Sequence, residues 1–432
     1  MTEPRRTRRV RLAYGTEGLA IDVPEHATVV RPAHHPAVAD EIAAVRAALE
    51  RPVAGAPLRD LVQRGARIAI SVCDSTRPQP RKPMLAAIGQ VIDEIVPPED
   101  VVVIIATGTH GPSSHEARRE MLGDDVLGRW RVVDHDARDT AALGDLGLIG
   151  GVPVALNREW LAADVRITTG FVEPHFFAGF SGGPKMVAPG LAALETVLEL
   201  HSPARIADPR ATFAVVEGNP VHDPVRAIAA ATGVTFSVDV LIDQGHRITH
   251  AFGGPVLEMH AVACRTAGLV AMQEVPGPFD IVITTNSGYP LDRNLYQAVK
   301  GMAAAATVVA NGGTIICAAE CRDGLPDDGS YARLLRSGSS IEAVAEHILG
   351  AGRTIPDGWQ VQVQARVQAR ARVLLQSRLP ASVARAAHLE PIDDVSSTLA
   401  ELLRRQPDAR ICVLPEGPQT IPYLQAPQHE LS

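Results

Sequence analysis

One imidazole and one primary amine stand ten positions apart in GFVEPHFFAGFSGGPKMVAPGL, residues 170–191. His175 precedes Phe176 and Phe177, and Lys185 follows Ser181-Gly182-Gly183-Pro184. An aromatic wall desolvates an imidazole and keeps it neutral, the form that acts as a base. The plain alternative is a half-buried packing histidine. Glycines let backbone approach a bound group closely, and Pro184 stiffens the turn that presents the amine. Such a lysine grips a phosphate or, with a depressed pKa, bonds covalently to a cofactor. The block lacks the GxxxxGK[ST] spacing and the metal-binding hydroxyl of a P-loop. His201 follows sixteen residues later, at the end of an apolar helical segment. There it is either a charge favoured by the helix dipole or, as neutral imidazole, a metal ligand.

A second group lies upstream. "CDSTRP" (73–78) and "ATGTHGP" (106–112) each close an apolar run, as do "TTGFVEPH" (168–175) and "TTNSGYPLDRN" (284–294). Small hydroxyl and glycine residues at strand ends make anion-binding turns. The planar fork of Arg77 suits a carboxylate or phosphate, against the plainer role of capping a carbonyl. His110 has the pKa range for proton transfer near neutrality, against the plainer role of a satisfied loop histidine.

These residues need elements to position them. Short Val/Ile-rich runs at 66–74, 101–110, 165–171, 236–243, 280–288, 314–320 and 409–417 predict buried strands. Helical segments alternate with them, so the expected fold class is α/β: two domains, each a largely parallel sheet flanked by helices. Ligands of such sheets bind at the carboxyl ends of the strands, and the active site is expected in the cleft between domains. "EVPGPFD" (274–280) cannot continue the preceding helix. It sets the expected boundary, with a cofactor-binding domain over 1–275 and a substrate-closing domain over 276–432. An opening hairpin is expected over roughly 10–30, and the Gln/Arg-rich stretch 361–378 suits an exposed helix.

The chain has 432 residues, 46% hydrophobic and 21% charged, with net charge −8. Basic residues are scattered apart from Arg5–Arg11, read as a solvated terminus, so nucleic acid is not an expected partner. No run of 18 apolar residues is present to span a membrane. Five cysteines, odd in number and without CxxC, argue against a disulfide framework and for a reducing, cytoplasmic setting. Cys317 and Cys321 lack a second Cys/His pair of zinc spacing.

"DSTRP", "ATGTHGP", "GFVEPHFFAGFSGGPKMVAPG", His201 and "LYQAVKG" (295–301) occur together, in this order, across most of the chain. In this the sequence resembles the lactate racemase-like family of 2-hydroxyacid racemases and epimerases, which depend on a nickel-pincer nucleotide. The resemblance implies a covalent attachment of that cofactor, a nickel-bearing pyridinium-3,5-bisthiocarboxylic acid mononucleotide, at Lys185. It implies His201 as the nickel ligand, and Asp74, Ser75, Thr76 and Arg77 as the turn that holds the cofactor phosphate. His110 and His175 would be the acid/base pair. Arg77, Tyr296, Gln297 and Lys300 would bind the substrate, a small 2-hydroxy acid, whose α-hydrogen moves reversibly as hydride to the cofactor. Cofactor-biosynthesis proteins of the host are implied partners, and the oligomeric state stays open. Three other readings remain: an epimerase or racemase of a longer or dicarboxylic acid, with Arg293 at the distal group; a Schiff-base lyase using Lys185; and a non-catalytic nucleotide carrier.

Overall fold

The computed structural model describes residues 6–326 and 329–424. Two compact units divide them. One comprises His34–Val270. The other joins the described residues up to Ala33 with those from Ala271 on.

The first unit is built on a six-stranded sheet. Its order is Ile248–Gly254, Phe236–Ile242, Val165–Phe171, Ile68–Cys73, Val101–Ala106, Arg131–Asp134. All pairs are parallel except the Ile248–Gly254 edge, which returns antiparallel from a tight hairpin. Every residue of Ile68–Cys73 is buried, because helices cover both faces of the sheet. Ile68, Ile70 and Val103 pack under Leu49, Met84, Leu85 and Ile88. Ala69, Val102 and Ile104 point to the other face, against Leu156, Trp160, Leu191, Val197 and Ile228. This two-residue alternation is why the runs read as continuous hydrophobic stretches.

The second unit holds a six-stranded, wholly parallel sheet. Its order is Glu390–Ile392, Ala371–Gln376, Val309–Ala318, Phe279–Thr285, Ile411–Leu414, Thr28–Val29. The two-domain α/β expectation therefore holds, but the expected 1–275 domain needs correction at its start. The hairpin of Thr7–Leu12 and Leu19–Pro24 buries Val10, Leu12, Ile21 and Val23 against Ile281, Ile283, Ile316 and Val413. Its apolar face thus completes the core of the second unit, and Thr28–Val29 extends that sheet. The arginine-rich start is ordered from Thr7, with Arg8, Arg9 and Arg11 on the exposed side; Arg5 lies outside the described residues.

The stretch 361–378 also departs from expectation. The helix Gly358–Arg370 buries Val361, Gln362, Val363 and Gln364, and the strand Ala371–Gln376 follows. Gln364 is buried because Tyr331 Oη donates to its Oε1 at 2.7 Å and its amide donates to Ala387 O at 2.8 Å. Satisfied amides let a glutamine-rich helix enter a core.

Candidate active site

Three of the four polar strand tails leave one edge of the first sheet; the fourth leaves the sheet of the second unit. After Cys73 the chain makes a tight turn through Asp74–Arg77. Thr76 Oγ1 donates to Asp74 Oδ1 at 2.7 Å. The buried guanidinium of Arg81 fastens the turn from below, donating to Cys73 O at 2.8 Å, to Arg77 O at 2.8 Å and to Asp74 O. Gln79 adds a brace, accepting from Cys73 N at 2.7 Å and donating to Thr169 Oγ1 at 2.8 Å. Ser75 and the head of Arg77 are left towards the strand-end surface.

On the neighbouring tail, His110 Nδ1 lies 2.5 Å from Asp74 Oδ2. An anionic carboxylate accepts only, so Nδ1 carries the hydrogen and Nε2 is the basic nitrogen. Burial raises the Asp74 pKa, but the hydrogen bond and charge of His110, with Arg77 and Thr76, outweigh it and hold the carboxyl down at about 2. Asp74, expected in a phosphate turn, accepts here from His110 and from Thr76 Oγ1. What the turn offers an anion is Arg77.

The lysine loop closes against these tails. Gly108 N donates to Gly190 O at 3.0 Å, and Cys73 Sγ lies 3.6 Å from Met186 Sδ. Lys185 sits in the short 3₁₀ turn Gly183–Met186, entered through Gly182 at φ 73° and Gly183 at φ 50°. Its charge bears on His201, His222 and His260, lowering the pKa of each after the larger effect of burial. His201 ends the helix Leu194–Leu200 and donates from Nδ1 to Val197 O at 2.7 Å. Burial moves its pKa down to about 4, so at neutral pH it is a neutral imidazole with Nε2 basic.

His175 is held in the opposite tautomer. Its Nδ1 accepts from Ala178 N at 3.3 Å and more weakly from Phe177 N at 3.5 Å, so Nε2 bears the hydrogen. Its ring packs on Phe176 and Phe177, at centroid distances of 4.9 and 4.5 Å, and Phe177 continues edge-on to His201 at 5.3 Å. His175 and His201 thus flank one phenyl ring. The unit gathers Asp74, Arg77, His110, His175, Lys185 and His201 along one sheet edge.

In the second unit the helix Leu295–Ala306 starts at Asn294, whose side chain accepts from Gln297 N at 3.1 Å. Lys300 falls one turn on from Tyr296 and Gln297, at i+4 and i+3, so each of them neighbours it on the helix surface. Tyr296 Oη accepts from Trp359 Nε1 at 3.0 Å.

Residues 14–214 match the lactate racemase N-terminal domain, and residues 275–421 match the lactate racemase C-terminal domain. The lactate racemase of Thermoanaerobacterium thermosaccharolyticum is 33% identical over 422 residues, 95% of this chain and 98% of that protein. That of Lactiplantibacillus plantarum is 32% identical over 378 residues, 86% of this chain and 89% of that one. The chain belongs to the lactate racemase family. The structure of the T. thermosaccharolyticum lactate racemase apoprotein superposes with a TM-score of 0.88 at 30% identity, covering 97% of this chain and all of that one. A Thermotoga maritima protein, at 18% identity and a TM-score of 0.66 over 85% of this chain and 96% of its own, shares the fold. Membership of the lactate racemase family makes this chain an isomerase, a racemase by type.

Within this lactate racemase family member, several other residues that attract notice in the sequence have structural employment. Arg293 pairs with Asp323 at 2.5 Å, which occupies the residue expected at the distal group of a longer or dicarboxylic substrate. His135 is buried, with Nε2 2.9 Å from Ala192 O. Ahead of His222, Asn219 Oδ1 accepts from Val221 N and His222 N, at 2.9 and 3.2 Å, and the His222 ring is buried. Cys317 and Cys321 are free and buried, and among the described residues no three His, Cys, Asp or Glu side chains gather as a metal site.

Sequence reading missed Asp239, His260 and Trp359. One signal was available. The chain has three lysines, Lys82, Lys185 and Lys300, against a total of 41 basic residues. Two of those three fall in the motifs above.

Proposed function

We propose that the protein interconverts the stereoisomers of a small 2-hydroxy acid, using a nickel-pincer nucleotide attached through Lys185. The observation that carries this reading is the pair of oppositely set imidazoles, His110 and His175, on the same strand-end surface as the lysine turn. Racemisation through a 2-keto acid needs one group to take the hydroxyl proton and another to return one. Schiff-base chemistry or simple carriage needs no such pair.

The residues present fit the cofactor. The left-handed glycine pair Gly182–Gly183 makes the tight turn that presents Lys185. His201 presents a neutral imidazole whose other nitrogen is fixed by a carbonyl, the usual support of a metal-bound histidine. When bound, the nickel-pincer nucleotide supplies the acceptor and donor of hydride for the substrate α-carbon.

The protein does the rest. Arg77 and Lys300 bind the substrate carboxylate, while Gln297 and Tyr296 orient the reacting carbon. His110 takes the hydroxyl proton on Nε2, and Asp74 stabilises the imidazolium through Nδ1–H, as the acid of a carboxylate–histidine pair does. His175, which holds a hydrogen on Nε2, returns a proton to the substrate oxygen and is reprotonated from solvent as the imidazolium of His110 gives its extra proton up. The phenyl rings of Phe176 and Phe177 exclude water from the imidazole that borders them. Five free, buried cysteines suit a reducing cytoplasm, and the loaded enzyme depends on host proteins that build the cofactor.

The test is intact mass followed by isotope tracing. After expression with the cofactor-building proteins, mass analysis is expected to find an adduct on Lys185 together with nickel. Racemisation in deuterated water is expected to retain the α-hydrogen. Washout of that hydrogen, or trapping of substrate on Lys185 by borohydride, overturns the reading.

A further inference from the structure

Beneath the lysine turn lie two buried polar side chains that the reaction outlined above does not use. Asp239 comes from the strand Phe236–Ile242 and is 0% exposed; His260 comes from the helix Val256–Ala271 and is 3% exposed. Asp239 Oδ2 accepts from Gly183 N at 2.5 Å. His260 Nε2 donates to Ser181 O at 2.8 Å, and Cys264 Sγ packs against the ring, 3.4 Å from Nε2 and 3.6 Å from Nδ1. The chain is shaped to admit both groups. A Cβ at Gly182 would fall 2.5 Å from Asp239 Oδ2, one at Gly170 2.9 Å from Oδ1, and one at Gly183 2.5 Å from the His260 ring.

A carboxyl inside a sheet is costly for a fold to keep. Among the described residues its Oδ1 is buried without a hydrogen-bond partner, and burial pushes its pKa up to about 7 against the opposing Gly183 amide. An apolar side chain would fill the same volume with less penalty. What an apolar residue would not do is hold the Gly183 amide, which opens the turn that bears Lys185.

We propose that Asp239 and His260 are positioning residues for Lys185, clamping the turn by the Gly183 amide and the Ser181 carbonyl so that the amine is presented in one orientation. The inference rests on the reading that Lys185 carries the cofactor. Each tie reaches the turn from a different element, so the loop is fixed at two points, four and two residues before Lys185. Asp239 and His260 touch neither substrate nor cofactor in this assignment.

The test uses the full-length apoprotein and needs no turnover. Hydrogen exchange is followed in peptides covering residues 179–191, and an acylating reagent reports Lys185 relative to Lys82 and Lys300, the other two lysines of the chain. Asp239→Ala and His260→Leu are expected to speed exchange in that segment roughly tenfold, the effect of losing one buried hydrogen bond, and to change the Lys185 labelling ratio. Asp239→Asn and His260→Gln, which keep an acceptor and a donor, are expected to stay within about twofold of wild type. Unchanged exchange and labelling in the Ala and Leu variants overturns the proposal. So does acceleration spread evenly over the whole sheet. If Asp239→Ala does not fold, Asp239→Asn and the His260 pair decide by the same two readouts. Adduct formation on wild-type Lys185 is measured separately, so a missing adduct refutes the cofactor reading while the exchange result still judges the clamp.

Discussion

Asp74 sets the hydrogen on His110 Nδ1, and on the proposed reading that single contact is where the chemistry is most exposed to mutation. In Asp74→Asn an amide that both donates and accepts meets Nδ1, so the ring is free to adopt the wrong tautomer. The expected outcome is a fall in kcat of about 10²- to 10⁴-fold in both directions with KM little changed, read by steady-state racemisation assays. The same carboxyl predicts an acid response. Its pKa is about 2 in the fold against an ordinary 3.8. A depressed carboxyl stabilises the fold above its unfolded value, and that contribution is lost as pH falls from about 4 towards 2. Acid titration followed by circular dichroism is expected to show less loss in that window for Asp74→Asn than for wild type. His110, His175, Lys185 and His201 were legible in the sequence because glycine, proline and aromatic neighbours mark them. Asp239 was not. Within "FSVDVLID" it reads as one polar interruption of a buried run, and only the third dimension reveals the amide it accepts from.

Elements place these groups by close backbone contact. The helix that carries Tyr296, Gln297 and Lys300 lies so near the strand before it that a Cβ at Gly301 would fall 1.9 Å from Thr285 O. Gly301 N donates to Asn286 Oδ1 at 3.0 Å, which fixes the helix to the tail of that strand. Gly301→Ala must therefore push the helix outward. The expected result is a loss of about 1–3 kcal/mol of stability by denaturant titration, with KM for the substrate raised more than kcat is lowered. At this scale the central strands were readable, since runs buried on both faces are continuous in Val and Ile. The edge strand Ile248–Gly254 and the strand Ala371–Gln376 were not. The first carries His250 and mixes polarity as edges do; the second continues a helix without a glycine or proline to mark the change.

The molecule as a whole carries a store of uncharged imidazole. His222 and His260 are buried and stacked at 5.4 Å, with pKa values moved down by burial to about 2 and about 4. Lys185 and Arg226 add to that effect, and the one opposing group near His222, the Ala178 backbone, does not offset it. In the unfolded chain the same rings take protons near 6.5. The unfolded state then binds more protons below that value, so stability falls as pH drops from 6.5. One such group accounts for about 2 kcal/mol between 6.5 and roughly pH 5. His222→Phe keeps the stacked ring and removes the titration. It is expected to flatten the loss of thermal stability between pH 7 and 5, measured by calorimetry. At this scale the two α/β halves were legible and their chain composition was not. The opening hairpin belongs to the second unit because its apolar face matches a core formed some 270 residues later, and a linear sequence holds no local mark of that pairing.

The two imidazoles hold their hydrogens on opposite nitrogens, and on the proposed reading a passage in one direction exchanges their roles. An enzyme that has just released one mirror form is consequently primed for the other, and must swap a proton with solvent before repeating itself. At high concentrations of both isomers this reset, rather than the isomerisation, would limit the throughput, and isotopic exchange between the two pools would slow as their concentration rises.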